Sequence, residues 1–417
     1  MTSVNMSSAS VTSANGAAND PDAFNPHSPE FLANPYPAYA TMRERAPVSF
    51  VRGYESWWVF RYADVKRVLY EQDLFLKNSP NPSMPPGPFD VLAYMPQGLF
   101  SLDPPEHDRQ RAIIDPLFKQ SIAQADEFAA QLARDLLVKA KASRRIELVN
   151  AFALPLPAAV LMTVMGIPRG DQAGVGQWVG SIVAGHDIAA PFALQAAAGT
   201  CAMALGAFFQ ALMRAPACPA HDPGLLGRMT QQGVEQGLMR EDVQQTAVNF
   251  AVAGYMSTVF LIATGTLNLL RNADQLSRLR DDDRLMQGAI EEMLRYDAPA
   301  QLADRYAARD TELGGVKLRR GDKVTAVLGS ANRDPDIFAD PDRFDIGRAE
   351  GTRLGELHLG FGDGIHYCIG APLVRLVAPV AFRALLAELP QMRLEGLVQW
   401  QTDPYLRSVS NLPLAIG

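Results

Sequence analysis

Apolar residues recur every three to four positions over most of this chain. That period predicts helices over 122–142, 147–166, 191–214, 241–271, 283–296 and 371–389. Pro155 and Pro157 in the second segment, and Pro379 in the last, are positions where a helix kinks or ends. Strand patterns are few and short: Ser56-Trp57-Trp58-Val59-Phe60 early, and Lys323-Val324-Thr325-Ala326-Val327-Leu328 late. Residues 313–321 read as a turn, a strand and a second turn. Proline and glycine gather over 78–105, which predicts a long surface loop of the kind that often carries function. No internal repeat is found. The fold class is mainly α with a minor β portion, in one compact unit.

From Val243 to Leu270 the chain carries no charge, and the length suits a membrane span. Gln244, Gln245, Thr246, Asn249, Ser257, Thr258 and Asn268 lie within it, and Gly254 and Gly265 interrupt it. These features favour a helix buried in a large soluble core. Residues 1–22 are rich in Ser, Ala, Asn and Thr, without a basic start followed by an apolar run. They read as a disordered tail, and residues 23–417 as a single domain.

Composition narrows the classes. The chain has 417 residues, 48% hydrophobic and 20% charged, as expected for a globular protein with a sizeable core. A net charge of −7 argues against nucleic acid as a partner, while leaving room for a local basic patch facing an acidic protein. The cysteines are Cys201, Cys218 and Cys368, with no C-x-x-C pair. That disfavours a zinc or dithiol site and suits a reducing cytosol, so a cytoplasmic protein without membrane association is expected.

Cys368 stands in Phe361-Gly362-Asp363-Gly364-Ile365-His366-Tyr367-Cys368-Ile369-Gly370, just before an apolar helix. A free cysteine is most often a small buried hydrophobe. On a glycine-bracketed loop, one thiolate also suits a single axial position on a haem iron, where it donates electron density and favours O–O cleavage. Gly362, Gly364 and Gly370 are expected to take φ > 0 and let backbone lie against a flat macrocycle, with N–H groups aimed at the sulfur.

This loop resembles the cysteine-ligand loop of the cytochrome P-450 family, Phe-Gly-x-Gly-x-His-x-Cys-x-Gly, at every fixed position. The resemblance continues in the family's order from about residue 30 to the C-terminus. It makes Cys368 the iron ligand, with Phe361, Gly362, His366 and Gly370 against the cofactor. Asp103-Pro104-Pro105-Glu106-His107-Asp108-Arg109-Gln110-Arg111 resembles the segment whose His and Arg bind haem propionate, here His107 and Arg111. Arg305 matches a further propionate-binding arginine, and His366 another partner. An arginine fork suits a carboxylate bidentately. Glu292-Met293-Leu294-Arg295 and Pro341-Asp342-Arg343-Phe344 resemble the family's Glu-x-x-Arg and Pro-x-Arg-Phe segments, which implies a buried structural network of Glu292, Arg295 and Arg343. His27, His186, His221 and His358 show no metal-ligand spacing.

The long helix departs from the family. Ala253-Gly254-Tyr255-Met256-Ser257-Thr258 aligns with Ala-Gly-x-(Asp/Glu)-Thr-(Thr/Ser), so Met256 takes the place of the acid and Ser257 that of the threonine. Ala253 and Gly254 are expected to leave room on the distal side. A thioether has no proton to donate. Either Ser257, Thr258 and water carry protons and ordinary hydroxylation persists, or the chemistry is altered towards peroxide use, oxidative coupling or interception of an early iron–oxygen species. Val377 stands where the family often has Glu.

The resemblance therefore implies a single-domain cytochrome P-450 fold, with haem b (iron protoporphyrin IX) between the distal long helix and the proximal cysteine loop. It implies a monooxygenase acting on a hydrophobic small molecule in specialised metabolism. These residues contain no reductase segment or membrane anchor. Electrons are thus expected from NAD(P)H through a ferredoxin reductase and a ferredoxin, with Arg109, Lys119 and Arg375 as docking candidates. A haem-binding sensor or carrier is the alternative from another class. The substrate pocket is expected to draw on the loop at 80–100, helices near 170–200, the helix at 248–258, the segment 298–302 and the tail near Val409-Ser410.

Overall fold

The structure, a computed structural model, describes residues 24–80, 98–123, 125–141, 143–185, 191–215 and 222–416. The tail 1–22, most of the expected 78–105 loop, Cys218, His186 and His221 lie outside the described residues.

The uncharged stretch forms one helix, Arg240–Arg271, and 78% of its most apolar window is buried. It is a core helix. Asp242 accepts the Met239 N–H and closes its N-terminus. Helices Ala125–Lys141, Pro155–Met165 and Ala371–Glu388 contribute to the same large apolar core. A second long apolar helix, Phe192–Arg214, lies on the surface, with only 17% of its window buried.

The helix expected over 147–166 divides. Arg145–Glu147 is a strand, and the Glu147 carboxylate accepts the N–H groups of Val149 and Asn150. A π-helical turn, Val149–Ala153, follows. Pro155 then opens the helix Pro155–Met165 at a position where its missing N–H is no loss. Pro379 lies inside Ala371–Glu388 without ending it.

The main sheet has the order Val48–Val51, Ser56–Val59, Lys323–Val327, Leu302–Ala307, Phe75–Leu76. Both strands expected from the sequence are present and pair in parallel. Leu302–Ala307 runs antiparallel to Lys323–Val327, with Arg305 opposite Val324, and Phe75–Leu76 adds the outer edge. Lys77, just beyond that edge strand, is thereby brought to the side of the sheet that holds Arg305. Residues 311–318 form a hairpin, Thr311–Leu313 and Val316–Leu318, turned by Gly314 and Gly315 at positive φ.

Candidate active site

The Cys368 loop leads into the helix Ala371–Glu388. Its shape is set by backbone contacts: the Cys368 N–H donates to Phe361 O (2.9 Å) and the Gly362 N–H to Leu359 O (2.9 Å). Gly362 and Gly364 take φ of 71° and 68°. At Gly364 a Cβ would also sit 2.4 Å from Leu69 O, so no other residue fits without movement. Gly370 differs from expectation. Its φ is −77°, because it caps the following helix in an ordinary right-handed conformation. A Cβ there would lie at an ordinary contact distance, 3.6 Å, from the Cys368 sulfur.

Cys368 is partly exposed. Burial pushes its thiol pKa up, opposed by the Gly370 and Ala371 N–H groups and then by Arg111 and Arg375. The Gly370 and Ala371 N–H groups thus ease negative charge on the sulfur, as a helix N-terminus does, while the Ala371 N–H donates to the Cys368 carbonyl (3.2 Å). A coordinated metal would deprotonate the thiol outright. The Phe361 ring is buried, with the Arg375 guanidinium 4.7 Å from its centre.

A cationic cluster lies beside the loop. His107 and Arg111 sit one turn apart on the helix Glu106–Ser121, and the His107 and His366 rings are 4.4 Å apart. Nε2 of both histidines is buried without a hydrogen-bond partner. The His366 pKa is driven down to about 2, by burial first and then by Arg305, His107, Lys77 and Arg111. The Arg305 pKa falls to about 10 through burial, although Asp103 and Asp304 oppose the shift. Asp103 is occupied in accepting the N–H groups of Lys77 and Asn78. Two buried ring nitrogens without partners are costly, and an anion bridging them and Arg305 would relieve that cost; Arg111 is already paired with Asp115 (3.1 Å) and His107 Nδ1 with Asp108 (2.9 Å). The two propionates of a haem fit this site. Lys77 is an addition that sequence reasoning missed: it lies just past a two-residue edge strand with no local motif.

On the long helix, Ala253, Met256 and Ser257 lie on one partly open face, and Ala253 is exposed. Gly254 does not share that role, since Leu161 packs where its side chain would be (3.1 Å). Thr258 is 5% exposed, on the buried side about 140° around the helix from Ala253. Ser257 is thus the hydroxyl that shares the open face.

A cavity of about 660 Å³ borders this face. Met256 and Phe260 line it, with Val183, Leu194, Leu32 and Leu406 among the other walls. Expected contributions from 170–200 and the long helix are therefore present. The tail contributes through Gln401, Thr402, Asp403 and Leu406 instead of Val409-Ser410, because Val409 is buried in a strand. Residues 298–302 stand behind that wall and do not line the cavity: Gln301 N–H donates to Tyr405 O, and Arg407 N–H to Pro299 O (both 2.8 Å). Residues 81–97 of the expected 80–100 loop lie outside the described residues.

Glu292 and Arg295 form a fully buried bidentate pair (2.7 and 2.9 Å). Arg343 does not complete the network. Its side chain is 63% exposed, and only its carbonyl receives Arg295 and Arg348. The third charged partner is Arg348, whose Nε lies 3.2 Å from Glu292, on a turn where Asp345 N–H also donates to that carboxylate. Arg348→Ala is expected to lower unfolding free energy by about 2–4 kcal/mol by stranding part of a buried charge. Arg343→Ala is expected to stay within about 0.5 kcal/mol. Urea midpoints of the two variants check this ordering.

Two docking candidates are committed elsewhere. Arg375 is held by Glu291 (2.7 and 3.0 Å) and Tyr367 Oη (2.8 Å). Arg109 pairs with Glu106 and donates to Gly237 O (2.7 Å). Lys119 is exposed. His358 has a structural place, accepting the Gly360 N–H at Nδ1 and facing Glu291 from Nε2.

A family model, "Cytochrome P450", matches residues 224–389. The chain is 34% identical over 397 residues to the cytochrome P450 monooxygenase PikC of Streptomyces venezuelae, covering 92% of each chain. It is 30% identical over 394 residues to the biotin biosynthesis cytochrome P450 of Bacillus subtilis, covering 93% of this chain and 97% of that one. A crystal structure of P450BioI in complex with hexadec-9Z-enoic acid ligated acyl carrier protein superposes with a TM-score of 0.83 at 28% identity, covering 93% of this chain and all of that chain.

The chain belongs to the cytochrome P450 family. It has that family's single-domain fold, and it is a monooxygenase whose cofactor is haem b.

Proposed function

We propose that Cys368 is the axial ligand of the haem iron and that His107, Arg111, Arg305 and His366, joined by Lys77, bind the propionates. The observation that carries this reading is the convergence of the two orphaned Nε2 atoms with Arg305, Arg111 and Lys77 beside the cysteine loop. When bound, the haem supplies dioxygen activation, with the thiolate favouring O–O cleavage. The chain's residues do the rest. The backbone N–H groups of Gly370 and Ala371 stabilise charge on sulfur, and the cationic cluster fixes the macrocycle's edge.

The substrate is a hydrophobic small molecule held in the cavity beside Met256. Its size and its apolar walls support this, as does the acyl ligand of the solved relative. Electrons reach the site from NAD(P)H through a ferredoxin and its reductase, and the exposed Lys119 offers such an acidic carrier one contact. The protein works in the cytoplasm, in specialised metabolism.

Ser257 holds the water that delivers protons on the distal side, and Met256 is an apolar wall that cannot relay them. The reaction is then ordinary oxygen insertion such as hydroxylation. On the best substrate of a hydrophobic library, Ser257→Ala is expected to cut product formed per NAD(P)H about tenfold or more. Met256→Glu with Ser257→Thr is expected to leave native product unchanged or raised. A marked fall in that double variant would instead favour altered chemistry, the reading that Met256 itself suggests.

A further inference from the structure

Arg407 is a buried cation next to Leu406, a wall residue of the substrate cavity, and it also reaches the backbone of a second wall residue, Leu32. Its Nε donates to Asp297 Oδ1 (2.6 Å), and its two Nη atoms donate to the carbonyls of Leu32 and Ala33 (3.2 Å each). The guanidinium lies 4.1 Å from the centre of the Trp400 ring. Asp297 gathers two more elements, accepting Tyr36 Oη (2.6 Å) and Asn268 Nδ2 (3.3 Å). Asn268 belongs to the long helix that carries Met256 and Phe260.

Three walls of the cavity are thus tied to one ion pair. Leu32 is fixed through its own carbonyl, Leu406 is the residue before Arg407, and Met256 with Phe260 lie on the helix held through Asn268. Each guanidinium nitrogen has a separate task, and an ammonium has no fork with which to reach all three acceptors.

We propose that Arg407 is a positioning residue for substrate specificity, setting the cavity's shape by clamping the Leu32 and Leu406 walls to Asp297. The inference rests on the haem-thiolate reading above, and it concerns molecules large enough to touch those walls.

Spectral titration of the holoenzyme with two iron-binding azoles tests it. Imidazole needs the iron and little else; clotrimazole must also fit the cavity. In Arg407→Lys, clotrimazole is expected to bind about tenfold more weakly, with imidazole affinity within about twofold of the parent. Arg407→Gln combined with Asp297→Asn removes both charges of the pair, with Arg333 still held by Asp342 (2.7 Å), and is expected to give the same selective loss. Leu32→Ala keeps every ion pair and should show it too, even if both charge variants fail to accumulate. An unchanged clotrimazole-to-imidazole ratio in the folded variants overturns the inference, as does an equal fall for both ligands. A parent protein that binds neither azole overturns the haem assignment beneath it as well.

Discussion

Cys368→Ala is expected to abolish the thiolate-type Soret band of the reduced, carbon-monoxide-bound protein. It should also lower NAD(P)H-dependent turnover by on the order of 10³-fold or more, about 4 kcal/mol of barrier. The loop offers no substitute, since the other described cysteine, Cys201, is on the surface helix Phe192–Arg214. The variant should still fold. Cys368 keeps its backbone bond to Phe361 O whatever its side chain, and Gly362 and Gly364 hold their positive φ without it. Haem content, read by pyridine haemochrome, separates lost ligation from lost cofactor. Retention of the thiolate-type band would show that another residue binds the iron.

Glu292→Gln is expected to be the most destabilising single change outside the iron site. Glu292 is fully buried and accepts from Arg295 at both oxygens, from Arg348 and from the Asp345 N–H. Arg295 also holds Asn332 O and Pro341 O (2.8 and 2.9 Å), so the pair ties its helix, Met286–Tyr296, to the irregular segment that begins at Asn332, beyond the main sheet's strand Lys323–Val327. Losing one charge leaves the buried Arg295 uncompensated, at a cost of about 3–5 kcal/mol. The denaturation midpoint of the holo protein should fall accordingly, with haem released early. A midpoint equal to the parent's would mean that the pair does not hold this region together.

The Cys368 loop was legible because its information is local: ten consecutive residues specify turns, a ligand and a helix start. Even there Gly370 misled, since a glycine that caps a helix at φ −77° looks the same in sequence as one required for φ > 0. Helix periodicity revealed the Arg240–Arg271 core helix, yet facing within it needs the three-dimensional neighbours. Leu161 alone shows that Gly254 serves packing, and burial alone separates Thr258 from Ser257. Arg343 and Arg348 stand five residues apart on an irregular segment that passes through Asp340 at φ 45°. No periodic rule says which of two such arginines turns inward. Lys77 and the 401–406 wall were hidden for a related reason. Lys77 follows a strand that pairs with Tyr306 and Ala307, and the wall adjoins Arg407, whose partner is Asp297, each more than 100 residues away.

X-ray absorption at the iron edge of the purified holoenzyme tests the central claim most directly. A Cys368 ligand predicts one sulfur neighbour in addition to the macrocycle nitrogens in the parent, and no sulfur in Cys368→Ala. A first shell of nitrogen and oxygen only, or a sulfur signal that persists in the variant, would contradict the account.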